Sequence, residues 1–68
     1  MSEFHPREDD ILDVLYRARK PITTNEIAER TGMAWATAKK YLEILEEEGY
    51  VAAAERGNSL YWWLVEEE

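Results

Sequence analysis

The stretch that most constrains this chain runs from Ile22 to Val51, ITTNEIAERTGMAWATAKKYLEILEEEGYV. Thr23 and Glu26 stand at the S/T-x-x-E spacing, in which two side chains reciprocally satisfy amides that a first helical turn leaves free. A helix over residues 23–31 follows, and Gly32 ends it because glycine accepts the positive φ of a sharp turn. A second helix over 34–48 stops at Gly49, the residue favoured just past a helix end. Two helices joined by a three- or four-residue turn containing glycine form a unit around which the flanking segments must be arranged.

Upstream, residues 1–5 show no periodicity and read as a loose arm in which His5 is inert. Pro6 suits the first position of a helix, and Glu8, Asp9 and Asp10 favour the positive end of its dipole. Ile11, Leu12, Leu15 and Ala18 then form an apolar stripe, which predicts a helix over 6–20. Pro21 stops it, leaving Ile22 as a short extended bridge. In the 34–48 helix, about 100° per residue places Leu42 and Leu45 beside Ala38 on the buried side. Ala36, Lys40, Glu43 and Glu47 point the opposite way, with Lys39 on one flank. Beyond Gly49 the period falls to 2: a strand over 50–54, a turn over 55–59 and a strand over 60–65, followed by a solvated tail at 66–68. The predicted fold is α+β and mainly α, three helices followed by a two-stranded β-hairpin, in one domain.

A net charge of −7 argues against a polyanionic partner until its distribution is considered. Residues 14–42 hold Arg17, Arg19, Lys20, Arg30, Lys39 and Lys40 against Glu26 and Glu29, for +4, while both flanks are acidic. Positive charge is thus concentrated on the central helices, where a nucleic-acid face would lie. Without cysteine, and with His5 the single histidine, disulfides and Cys/His zinc sites are excluded. Glu46, Glu47 and Glu48 point about 100° apart on a helix and do not converge on a metal. Neither an activated nucleophile nor a phosphate-cradling glycine loop is present, so the expectation is a non-enzymatic protein with no cofactor, metal or small-molecule ligand. No apolar run is long enough to cross a bilayer and the start carries no signal pattern, which points to a cytoplasmic protein.

The residues resemble the winged helix-turn-helix domains of archaeal and bacterial transcription regulators. The resemblance is carried by Pro21-Ile22-Thr23-Thr24, Glu26-Ile27-Ala28, Thr31-Gly32-Met33, Thr37-Ala38, Leu42, Leu45, Glu48-Gly49-Tyr50-Val51 and the hairpin, covering about residues 8–65. It implies a third helix placed in the major groove of double-stranded DNA, a wing near the backbone, and a homodimer. The positions matching the family's contacts are Trp35, Ala36, Lys39 and Lys40, with Thr37 and Tyr41 near phosphates and Arg56 and Asn58 at the wing tip. Arg17 and Arg30 would add phosphate contacts. The chain departs from the family at Ala34, where a Ser or Thr N-cap is usual and its loss costs about 1 kcal/mol. It departs again at Trp35 and Ala36, neither of which can make a bidentate base contact, so readout would be modest or rest on thymine methyl groups.

Two residue groups allow more than one role. Trp35 suits packing against the preceding helix or the N-terminal arm as well as DNA contact. Tyr61, Trp63 and Val65 share the second apolar face of the hairpin, and Ile44 sits on a side of its helix that should be wet; these four are the candidate dimer or partner contacts. The alternative function is a protein-interaction winged helix that docks a partner on its aromatic wing and acidic surface.

Overall fold

In the computed structural model, which describes residues 4–66, the chain forms α1 (Pro6–Ala18), β1 (Ile22–Thr23), α2 (Thr24–Thr31), α3 (Trp35–Glu47), β2 (Val51–Arg56) and β3 (Ser59–Leu64). The fold is α+β and mainly helical, as the periodicity implies. The start of α1 differs from the loose arm expected over residues 1–5. His5 Nδ1 accepts the Arg7 amide at 3.1 Å, and the Glu8 carboxylate accepts the His5 amide at 3.0 Å, a reciprocal cap built on histidine. The Phe4 ring meets Tyr50 edge-on at 4.9 Å and the His5 ring stacks on Tyr41 at 5.1 Å. Phe4 and His5 are therefore part of the fold, and His5 is a cap instead of an inert residue; residues 1–3 lie outside the described residues. Histidine is outside the usual capping set, and ring contacts between such distant residues leave no local pattern.

α1 ends at Ala18 instead of running to residue 20. Arg19 turns left-handed (φ 58°), its amide reaching the Leu15 carbonyl at 3.3 Å, and Pro21 forbids continuation. At α2 the Thr23 hydroxyl accepts the Glu26 amide at 3.1 Å. The return half of the expected cap is replaced, because the Glu26 carboxylate accepts Arg30 Nη2 at 2.7 Å. Gly32 (φ 76°) makes the inter-helix turn in the left-handed region that a side chain disfavours, and the Met33 amide closes it on the Ala28 carbonyl at 3.0 Å. Ala34 supplies no side-chain cap to α3. The far end is well closed, with the Gly49 amide on Glu46 (3.0 Å) and the Tyr50 amide on Leu45 (2.9 Å) in the Schellman pattern.

The hairpin expected as a two-stranded wing is part of a three-stranded antiparallel sheet ordered β1-β3-β2. The extended bridge at Ile22 pairs with Trp62, and Thr23 with Tyr61. The turn is also shorter than residues 55–59. Positive φ at Gly57 (60°), the first of two central residues, is the two-residue type II′ geometry, which matches strand twist and keeps Glu55 and Arg56 in the ladder. Val65 lies just past β3, its amide held by the Tyr50 carbonyl at 3.0 Å.

Trp62 is the largest fully buried side chain, 1% exposed, and sits at the centre of the middle strand. It packs in one core with Ile11 and Leu15 of α1, Ile27 of α2, and Ala38, Leu42 and Leu45 of α3. Its indole N–H donates to the buried Thr24 hydroxyl at 2.7 Å. A buried indole needs such a partner, and here the partner is the first residue of α2. Thr24→Val keeps the side-chain shape but orphans that N–H, and is expected to cost about 1–3 kcal/mol. At roughly 4–8 °C per kcal/mol for a domain of this size, thermal melts should resolve it. The double variant Thr24→Val/Trp62→Phe should lose less than the sum of the single losses, because the two residues share one interaction.

Candidate nucleic-acid interface

α3 divides into two halves of opposite character. Its first half, Trp35 to Tyr41, contains no carboxylate, whereas Glu43, Glu46 and Glu47 occupy the second. Ala36 and Lys40 are exposed; Thr37, Lys39 and Tyr41 are half-buried. Trp35 is 52% exposed at the first position of the helix, so it is not part of the core. Lys39 Nζ lies 5.4 Å from the Trp35 ring centroid and 3.4 Å from the Glu43 carboxylate, at once a cation–π contact and an ion pair.

Between this end of α3 and the β2–β3 turn lies an open cleft of about 500 Å³. Trp35 and Lys39 form one wall, Asn58, Ser59, Leu60 and Glu55 another, and Thr24 and Asn25 of α2 the third. The structure thus gathers Trp35, Lys39 and Asn58 from the expected DNA contacts. It adds Asn25, which sequence reasoning missed; the one clue was its place in the exposed first turn of α2, next to the Thr24 that binds Trp62.

Other expected contacts lie outside the cleft. Arg17 is paired with Asp13 at 2.9 Å and Arg30 with Glu26 at 2.7 Å, each one turn apart on its own helix. The +4 of residues 14–42 excluded Asp13 and Glu43, which pair with Arg17 and Lys39; widening the segment to 13–43 lowers it to +2. Lys40 forms no ion pair among the described residues, and its Nζ lies 5.5 Å from the Tyr41 ring. Arg56 faces a different, wider groove of about 1290 Å³ on the other side of the sheet, with Arg19, Lys20 and Tyr16. Tyr61, Trp63 and Val65 line this outer groove, whereas Ile44, half-buried on α3, does not. Tyr16 is 66% exposed there and joins the apolar face that the hairpin alone suggested. Among the described residues no group of three or more His, Cys, Asp or Glu is placed to hold a metal, and no helix is long and apolar enough to cross a membrane.

Residues 5–64 match the model of a family of unknown function, DUF7342. The chain belongs to that family. Over 58 residues it is 36% identical to the Dr hemagglutinin AFA-III operon regulatory protein AfaF of Escherichia coli, an alignment spanning 82% of this chain and 68% of that protein. The same identity and span hold for the F1845 fimbrial adhesin operon regulatory protein DaaF of Escherichia coli, 77% of which is covered. Among solved structures, the homodimeric winged helix-turn-helix DNA-binding domain (fragment 1–100) of a possible ArsR-family regulator from Mycobacterium bovis superposes with a TM-score of 0.76 at 34% identity. This chain is covered to 85% and spans 52% of that fragment. A crystal structure of the same fragment gives a TM-score of 0.81 at 33% identity, with 88% and 62% covered. This DUF7342 chain is a winged helix-turn-helix of the regulator type.

The start of α3 in this winged helix is uncapped, since Ala34 has the extended backbone (φ −62°, ψ 150°) of an N-cap but no side chain to use it. Ala34→Ser should raise stability by about 1 kcal/mol, read as a higher melting temperature, without changing the fold.

Proposed function

We propose that this winged helix is a transcription regulator that binds double-stranded DNA as a homodimer, with the first half of α3 in the major groove and the Gly57-Asn58 turn near the flanking backbone. The observation that carries this reading is the split of α3: its exposed first half is free of carboxylates in a chain of net charge −7, and opens on a cleft closed by the wing turn. The operon regulators of Escherichia coli and the DNA-binding domain of Mycobacterium bovis support it.

Within this reading Lys40 is the principal phosphate contact, because no carboxylate among the described residues claims it. Thr37 and Tyr41 lie close enough along α3 to assist, and Asn58 approaches the backbone from the wing. Arg17 and Arg30 contribute only by exchanging Asp13 and Glu26 for phosphate. Arg56 lines the outer groove, away from the cleft. The dimer face in this reading is the outer groove, where Tyr16, Tyr61, Trp63 and Val65 leave aromatic and apolar surface uncovered. Action on double-stranded DNA fits a cytoplasmic location.

Titration of labelled genomic duplexes at several salt concentrations tests this. Binding should weaken as salt rises, and Lys40→Glu should reduce the slope of log K against log[salt] by about 1 or more. Sedimentation of the free protein should give twice 8.0 kDa. Absence of binding at about 50 mM salt, where phosphate contacts are strongest, would exclude the reading.

A further inference from the structure

We infer that the α3–wing cleft reads thymine by its C5-methyl group, with Trp35 as the contacting side chain and Lys39 as the residue that positions its ring; this rests on the DNA-binding reading above. In the major groove guanine is read by bidentate Arg or Lys, adenine by Asn or Gln, and cytosine by Asp or Glu. α3, WATAKKYLEILEE, contains no Arg, Asn, Gln or Asp, and its first Glu is Glu43. Lys39 is half-buried and already engaged by the Trp35 ring and Glu43. Lys40 is exposed and is assigned above to phosphate, so what the start of the helix has left to offer a base edge is apolar surface, from Trp35 and Ala36. The apolar group that B-DNA displays in the major groove is the thymine methyl.

Three features of the cleft fit this use. The Lys39 ammonium lies 5.4 Å from the Trp35 ring and 3.4 Å from the Glu43 carboxylate, contacts that bias the indole before DNA arrives and lessen the side-chain freedom lost on contact. Glu55 stands in the opposite wall and repels phosphate, which favours a base edge over the backbone at the centre of the cleft. Asn58 and Ser59 beside Glu55, and Asn25 in the α2 wall, supply neutral hydrogen-bonding groups for the sugar-phosphate rim.

The test begins by selecting bound duplexes from a random-sequence pool with the full chain. Anisotropy titrations at fixed salt then compare each selected duplex with copies in which single thymines are replaced by deoxyuridine, which removes the methyl and nothing else. Replacement at one or two positions per half-site should weaken binding about fourfold each, the value of one buried methyl group. Trp35→Ala, with its fold verified by a cooperative melting transition, should bind thymine and uracil duplexes equally. Lys39→Met should narrow the thymine preference while leaving the salt slope in place. Equal binding of thymine and uracil duplexes by the unmodified protein, with the salt-dependent affinity intact, would overturn this inference and leave the DNA-binding reading standing. A pool from which nothing is enriched, together with no binding of any duplex, would remove both.

Discussion

The hydrogen bond from the Trp62 indole to the Thr24 hydroxyl joins the two parts of the molecule that must be held in register. Trp62 lies on the central strand, so its position fixes β1 on one side and β2 on the other. Thr24 opens α2, immediately after the strand residue Thr23 that pairs with Tyr61. A donor and an acceptor buried in an apolar core cost more unpaired than they contribute when paired, so the contact selects one docking of sheet on helices. The cleft between the wing turn and α3 is a consequence of that docking. Asn25 and Asn58 face it from α2 and the wing, with the Thr24–Trp62 hydrogen bond anchoring the α2 wall to the central strand.

Electrostatics then assigns the surfaces. Three of the cations in the central segment are paired with carboxylates one turn away, and such exposed i,i+4 pairs contribute only tenths of a kcal/mol. Their larger effect is on partners, since they reduce the positive field that the sequence total suggests and leave Lys40 as the cation of the α3 start that no carboxylate holds. The outer groove collects Arg19, Lys20 and Arg56 beside Tyr16 and Trp63, a surface separate from the cleft. A chain of net charge −7 thus presents two mixed basic and aromatic faces, one at the reading helix and one behind the sheet.

What was legible in the sequence was what repeats or punctuates locally. The 3.6-residue stripe of α1, the triad Ala38, Leu42 and Leu45, and the stops at Gly32 and Gly49 follow from side-chain period and backbone freedom alone. The His5 cap, the Phe4–Tyr50 and His5–Tyr41 contacts and the pairing of Ile22 with Trp62 depend on residues brought together from distant parts of the chain, which no window reveals. The same limit applies to the site. The sequence leaves Trp35 open between packing and DNA contact, and only the position of Lys39 and the open side of the cleft show the indole exposed. Arg56 and Asn58 are two residues apart in sequence, yet one lines the outer groove and the other the cleft.

The central claim, that DNA meets the cleft and not the outer groove, can be followed through the three indoles, which occupy three environments: Trp35 exposed at the cleft, Trp62 buried, and Trp63 at the outer groove. The direct measurement is a titration of the isotope-labelled protein with duplex DNA, observing the three indole N–H signals. The Trp35 signal should shift progressively with added duplex while Trp62 and Trp63 stay in place. Movement of the Trp63 signal with Trp35 unchanged would contradict the account.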